Sequence, residues 1–343
     1  MNNLNNFLIY SPVIDTVNIF LKVTIENLKK NNINILVMFN PLLTLNYSKD
    51  TINYKKIVAK GNNNNPFSYF SDFIFLSKSN NINTIIFIGS TTIILATFIK
   101  LFNLKKRIIY ILHGTLRSKG YFLNLIFLFF LVTSNLCGIE IYSVNNNFRK
   151  YFFRKKYFKF IGQAGVGIDK HKVDKLIKVR KEFCITKSTY TIAFIGRHEI
   201  SKGYDLFESI SKINKNPNYK FISIGGFTKK SSNSVLQYGP LDNVDLINLL
   251  KNIDLLILPS ISEGLGMSMV ECCIAGIPTI ATNTDGSKQF LNNNIGIILD
   301  NRNPEDFLIA INKILNNLNF YISNCIRYST NNNNFISKPF INL

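Results

Sequence analysis

"DLLILPSISEGLGMSMVECCIAGIPTIAT", residues 254–282, reads as a strand, a helix and a second strand. "DLLILPS" is a continuous apolar run of strand length. "LGMSMVECCIAG" has helical length, ends at Gly276 and meets Pro278 as a stop signal, and "IPTIAT" is apolar and short again. Strands without polar alternation belong to parallel sheets covered on both faces, and a helix is the usual crossover between two of them.

The same alternation extends along the chain. Strand candidates stand at 7–10, 34–39, 84–89, 107–112, 138–143 and 158–162 in the first half. In the second half they stand at 190–196, 219–226, 255–260, 277–282 and 295–300, with helical spacing at 203–215, 243–252 and 304–318. Two such series in 343 residues predict two doubly wound α/β domains and not one large sheet. Gly-rich "GQAGVGIDKHKV", 162–173, interrupts the pattern and marks the boundary. Ligands of open α/β sheets bind beyond the carboxyl ends of the strands, so a cleft faced by the two domains is the expected site.

Composition narrows the function. There are 40 Lys+Arg against 20 Asp+Glu, a formal charge of +20. Residues 1–170 hold 21 basic and 6 acidic side chains and the remainder 19 and 14, so the first half carries most of the excess. Such a charge calls for an anionic partner: nucleic acid, a phosphorylated substrate or an acidic membrane surface. Five scattered cysteines with no C-x-x-C pair indicate neither a zinc site nor a disulfide framework, and suit a reducing cytoplasm. The start "MNNLNNFLIYSP" lacks the features of a signal peptide. The apolar run Leu125–Val132 is far shorter than the roughly 20 residues of a membrane span and predicts a buried helix.

Within the opening stretch Glu263 and Glu271 are separated by seven residues. Eight helical steps span roughly 12 Å, too far for the two carboxylates to act on one bond, where glycosidase pairs lie about 5–9.5 Å apart. Between them Gly264 and Gly266 open a helix whose first backbone N–H groups suit a phosphate. Carboxylate, phosphate cradle, carboxylate fits an elongated ligand with hydroxyls at both ends: a nucleotide sugar. Capping is the other reading, since Ser260-x-x-Glu263 and Ser268-x-x-Glu271 both match the capping-box pattern. In "FIGRHEISKG", 194–203, Arg197 and Lys202 follow a strand and suit a diphosphate, against the alternative of a solvated basic loop.

These pieces, with "ISIGG", "YGPL", the upstream "GVGID" and the continuation "NTDG", resemble glycosyltransferase family 4 in order and spacing, chiefly across 165–310. The resemblance implies two Rossmann-like domains facing a cleft (the GT-B fold), retention of anomeric configuration and no metal or other cofactor. The absence of any D-x-D sequence agrees with the last. Residues 1–165 then form the acceptor-binding domain and 166–343 the nucleotide-sugar-binding domain, with about the last 20 residues expected to pack back on the first. Carried over by position, Glu263 meets the donor sugar hydroxyls and Glu271 the ribose. Leu265, Gly266, Met267 and Ser268 face the sugar and distal phosphate, Arg197 and Lys202 neutralise the leaving diphosphate, and Pro240 and Leu241 meet the base. His113, in "YILHGTLRSKG", approaches the sugar from the first domain, with Arg117 and Lys119 as acceptor-phosphate contacts; a structural His in a βα loop is the alternative. Many relatives carry Gly-Gly after the first strand, whereas this chain reads "YSPVIDTVN" there, so Ser11–Asp15 inherit no role.

"NFRKYFFRKKYFKF", 147–160, interleaves cations with aromatics. It suits a solvated basic helix face, a membrane interface or, less well, nucleic acid. The sequence therefore leads to a cytoplasmic transferase at the inner face of the cell membrane. It would move a hexose or N-acetylhexosamine from a nucleoside diphosphate to a lipid-linked glycan of a bacterial surface polysaccharide, with no nucleic-acid partner. A sugar-nucleotide epimerase of the same fold and a basic nucleic-acid-binding protein on that scaffold are the rivals.

Overall fold

In the computed structural model the described residues are 6–11, 22–30, 33–39, 55–59, 68–79, 81–89, 92–102, 105–112, 121–143, 160–163, 168, 170–179, 188–226 and 234–331. The chain divides into two compact units whose main bodies are Met1–Val166 and Gly167–Ile336.

The first unit is built on β1 (Asn6–Tyr10), β2 (Asn34–Phe39), β3 (Lys55–Val58), β4 (Thr84–Ile88), β5 (Arg107–Leu112), β6 (Glu140–Ser143) and β7 (Phe160–Gln163). Their order in the sheet is β3-β2-β1-β4-β5-β6-β7, and every neighbouring pair is parallel. Helices α1 (Lys22–Lys30), α2 (Ser68–Lys78), α3 (Thr92–Phe102) and α4 (Tyr121–Leu136) connect them. The central strands "TIIFI" and "RIIYIL" are buried at every position except Arg107, as strands covered on both faces must be. The hydroxyl of Tyr10, on β1, donates to Asp72 Oδ2 of α2 at 2.8 Å, which gives the buried acid of that helix a partner.

Two sequence expectations fail here. β3 was not foreseen, because "KKIV" begins with two cations. It lies at the sheet edge, where charged residues are common because they blunt the exposed strand. The run Leu125–Val132 does fall within a helix, α4, but that helix is not buried. Leu131 is fully covered, yet Leu128 and Val132 are exposed and Phe129 is 65% exposed. Among the described residues no helix is long and apolar enough to cross a membrane.

The second unit holds β8 (Tyr190–Ile195), β9 (Tyr219–Ile224), β10 (Leu236–Tyr238), β11 (Leu255–Leu258), β12 (Thr279–Thr282) and β13 (Gly296–Leu299). All pairs are parallel, in the order β10-β9-β8-β11-β12-β13. Its helices are α5 (Lys170–Lys178), α6 (Tyr204–Ile213), α7 (Asn243–Leu250), α8 (Met267–Ile274), α9 (Asp285–Phe290), α10 (Pro304–Leu315) and α11 (Leu318–Asn331). One apolar layer joins Leu256 and Leu258 to Leu176 of α5 and to Met269 and Cys273 of α8. A second joins Phe194 and Ile257 to Phe207 of α6 and Ile311 of α10. Of the C-terminal residues expected to reach the first domain, those up to Asn331 form α11, which packs on α8 within this unit and buries Cys325 completely. Residues 332–343 lie outside the described residues.

Candidate functional site

β8 and β11 are neighbours at the middle of the second sheet, and the chain winds outward from them in opposite directions. This switch point is where ligands of open α/β sheets bind, beyond the carboxyl ends of the strands. The two loops that leave it are stitched together. Ile261 N–H donates to Ser201 O at 3.0 Å, and Ser260 Oγ donates to Lys202 O at 3.4 Å. Gly203 follows a single 3-10 turn, Ile200–Lys202, in the left-handed region at φ 78°. A Cβ on Gly203 would lie 2.0 Å from Pro259 O, so only glycine permits the loops to approach so closely.

The approach puts Lys202 onto Glu263. Lys202 Nζ donates to Glu263 Oε2 at 2.7 Å, and Ser260 Oγ, sharing its one proton between Lys202 O and this oxygen, reaches it at 3.3 Å. The backbone carbonyl of Glu263 accepts from Gly286 N–H at 3.0 Å, which ties in the first turn of α9, just beyond β12. Glu263 is thus held from three sides, twice at its carboxylate and once at its backbone carbonyl.

The helix between the two glutamates begins later than its apolar pattern predicts. Gly266 is its N-cap, at φ 74° and ψ 73°, and α8 starts at Met267, so Leu265 is loop and Glu271 lies just over one turn in. A Cβ on Gly266 would meet Leu258 Cδ2 at 3.1 Å and Glu263 Cγ at 3.3 Å. No side chain caps this end. The N–H groups of Met267 and Ser268 belong to the first turn, which has no intrahelical acceptor for them. Neither Ser-x-x-Glu pattern forms a capping box here; one forms instead at α9, between Thr284 and Ser287.

Glu271 is also held by a lysine. Lys172, from the first turn of α5, brings Nζ to 2.5 Å from Glu271 Oε1 and donates to Asn243 Oδ1 of α7 at 2.9 Å. Glu271 is 9% exposed, so the pair is largely withdrawn from water, where removing one partner strands the other's charge. The thiol of Cys272 is raised well above its usual range, by burial first and then by the Glu271 charge, which leaves it inert as a nucleophile.

The other sequence candidates are placed less centrally. Arg197 is exposed and pairs with Glu199 at 2.7 Å, not with Glu263. Pro240 is exposed and Leu241 half-buried on the loop from β10 to α7, where Gly225 N–H donates to Gly239 O at 3.2 Å and so ties that loop to the end of β9. His113, Arg117, Lys119 and most of 147–160 lie outside the described residues.

Sequence reasoning missed Lys172, Asn243 and His198. No spacing rule links Lys172 to a residue 99 positions later. His198 stacks on Tyr204 with ring centroids 3.8 Å apart and planes 10° apart, beside Gly226. Its two ring nitrogens are buried without a hydrogen-bond partner among the described residues, and burial lowers its pKa from the ordinary 6.5.

Residues 177–331 match the family model of the Glycosyl transferases group 1. The chain is 27% identical over 174 residues to an uncharacterized 41.2 kDa protein in the cps region of Klebsiella pneumoniae, covering 45% of this chain and 49% of that one. It is 28% identical over 146 residues to the O-antigen biosynthesis glycosyltransferase WbnH of Escherichia coli, covering 41% and 42%. The chain therefore spans less than half the length of these relatives. Among solved structures, Anabaena HepE in complex with UDP and glucose gives a TM-score of 0.68 at 13% identity over 95% of both chains. That likeness shows the fold: α/β with parallel sheets, of the GT-B type.

Two outcomes follow for stability. Gly203→Ala combines a left-handed backbone with a backbone clash and should destabilise the protein by about 2–4 kcal/mol, read by urea denaturation. Because the folded pKa of His198 lies below its unfolded 6.5, the unfolded chain binds more protons as pH falls. Stability is then full above that value and declines below it; His198→Phe should lose less stability than wild type between pH 7.5 and 5.5.

Proposed function

We propose that the protein is a retaining glycosyltransferase of family 4 that uses a nucleoside-diphosphate hexose or N-acetylhexosamine as donor. One observation carries the reading: two carboxylates, each fixed by a lysine, flank the side-chain-free N-terminus of α8 at the switch point of a group 1 domain. Glu263 hydrogen-bonds the donor sugar and Glu271 the ribose. The amides of Gly266, Met267 and Ser268 receive the distal phosphate, with Leu265 alongside, and Pro240 and Leu241 border the base. The bond from the anomeric carbon to the diphosphate oxygen breaks and its electron pair leaves on the diphosphate. Lys202, Arg197 and the positive end of α8 offset that charge without a divalent metal. An acceptor hydroxyl bonds to the anomeric carbon on the same face, and its proton passes to the departing diphosphate oxygen. We assign His113 to the donor sugar as well, and Arg117 and Lys119 to the acceptor.

The acceptor we propose is a lipid-linked glycan of a bacterial surface polysaccharide. The likeness to an O-antigen glycosyltransferase and to a protein in a cps region supports it, as does the basic first half. The enzyme would act in the cytoplasm, peripherally on the inner face of the cell membrane, with no nucleic-acid partner.

A panel of UDP-, GDP- and ADP-sugars should contain one that raises the melting temperature by mass action. Glu271→Gln should weaken that donor about 10- to 100-fold, the loss of a charge-assisted hydrogen bond. Glu263→Gln should keep most of the stabilisation but lose release of nucleoside diphosphate in the presence of acceptor. Stabilisation by none of the panel, or wild-type behaviour of both variants, would overturn the assignment. A changed sugar after incubation of donor alone would point to an epimerase.

A further inference from the structure

The helices α2, α3 and α4 of the first unit lie side by side, α3 packing against both neighbours. Their outer faces are apolar. On α3 the outward positions are Ile94, Phe98, Leu101 and Phe102, a helical stripe with no polar member. On α4 Leu128, Val132 and Leu136 continue the surface at four-residue spacing, with Phe129 beside them. Edge-on contact of Phe73 with Phe102, ring centroids 5.5 Å apart, and contact of Phe98 with Phe130 at 6.1 Å join the three helices into one surface. Phe102 is 74% exposed and Leu136 73%. A contiguous face of this kind on a water-soluble surface marks an interaction site.

Charge selects the occupant. Lys78 and Lys100 stand in the last turns of α2 and α3, and exposed Lys105 follows α3, so cations gather at one end of the face. Among the described residues of the three helices the single acid is Asp72, which is buried and accepts from Tyr10. The cations of this end are also built in. Lys106 is buried and donates through Nζ to Leu76 O and Ser79 O at the end of α2, and Lys100 Nζ donates to Lys106 O. A second copy across a two-fold axis would bring a face with cations and no exposed acid against its like. An acidic bilayer offers acyl chains for the aromatics and phosphates for the lysines, and α4, at 16 residues, is too short to do more than lie at its surface.

We infer that the α2–α3–α4 face docks the protein on the headgroup–acyl boundary of a membrane containing anionic phospholipid. The inference rests on the peripheral membrane association proposed above and gives it a surface; it does not depend on the donor assignment. The full chain should sediment with vesicles of phosphatidylglycerol and phosphatidylcholine, less with phosphatidylcholine alone, and less again as salt is raised. The variant Phe102→Ser/Phe129→Ser/Leu136→Ser, at exposed positions, should bind about tenfold more weakly or worse, while its urea transition and its stabilisation by a sugar nucleotide stay as in wild type. Lys78→Gln/Lys105→Gln should weaken binding several-fold to the anionic vesicles only. Wild-type vesicle binding by the triple variant would overturn the inference, as would failure of the unmodified protein to bind. A lipid-free dimer that the triple variant dissolves would assign the face to a second copy instead. Loss of nucleotide-sugar stabilisation in the unmodified protein would strike the donor reading and leave this one standing.

Discussion

A parallel sheet has to hide both of its faces, and the two units of this chain meet that demand in different ways. In the second unit the helices carry apolar residues toward the sheet and mostly polar ones outward, with Ile309 and Phe320 among the exposed exceptions. In the first unit α3 and α4 cover the sheet with one side and offer nearly as apolar a side to the outside. The constraint that creates the strands is satisfied in both, but in one of them it leaves a second apolar layer uncovered.

Within the second unit the same topology sets the position of the chemistry. Side-by-side strands deliver their loops to one edge, and glycines at two points remove the bulk that would keep those loops apart. Gly203 lets the β8 loop close on Pro259, and Gly266 lets α8 start against Leu258. The result is a glutamate anchored at its carboxylate by Lys202 and Ser260 and at its backbone by Gly286, and beside it a helix whose first amides face no side chain of its own.

Much of this was legible in the sequence, for physical reasons that also mark where legibility stops. The uninterrupted apolar strands predicted parallel sheets, because nothing else buries both faces of so short a run. The seven-residue gap separated Glu263 from Glu271, and the two acids do pair with different lysines. The start of α8 was placed early, since Leu265 continues the apolar pattern and only the left-handed backbone of Gly266 breaks it. The run in α4 was read as buried because periodicity reports how apolar a helix is and says nothing of whether a neighbour covers it. Lys172 escaped notice for a related reason: its partner is set by how α5 and α8 pack, a long-range fact with no local trace.

The pairing of each glutamate with a lysine has a consequence for how the sequence can drift. A largely buried carboxylate and its ammonium stand or fall together, since either one left alone is a charge without an answer. Glu271 and Lys172 therefore form a single heritable unit written at two distant places in the chain, and Glu263 with Lys202 forms another. A lineage that loses one letter of such a pair would be expected to lose the other in step, so that the silent lysine records the fate of the conspicuous acid.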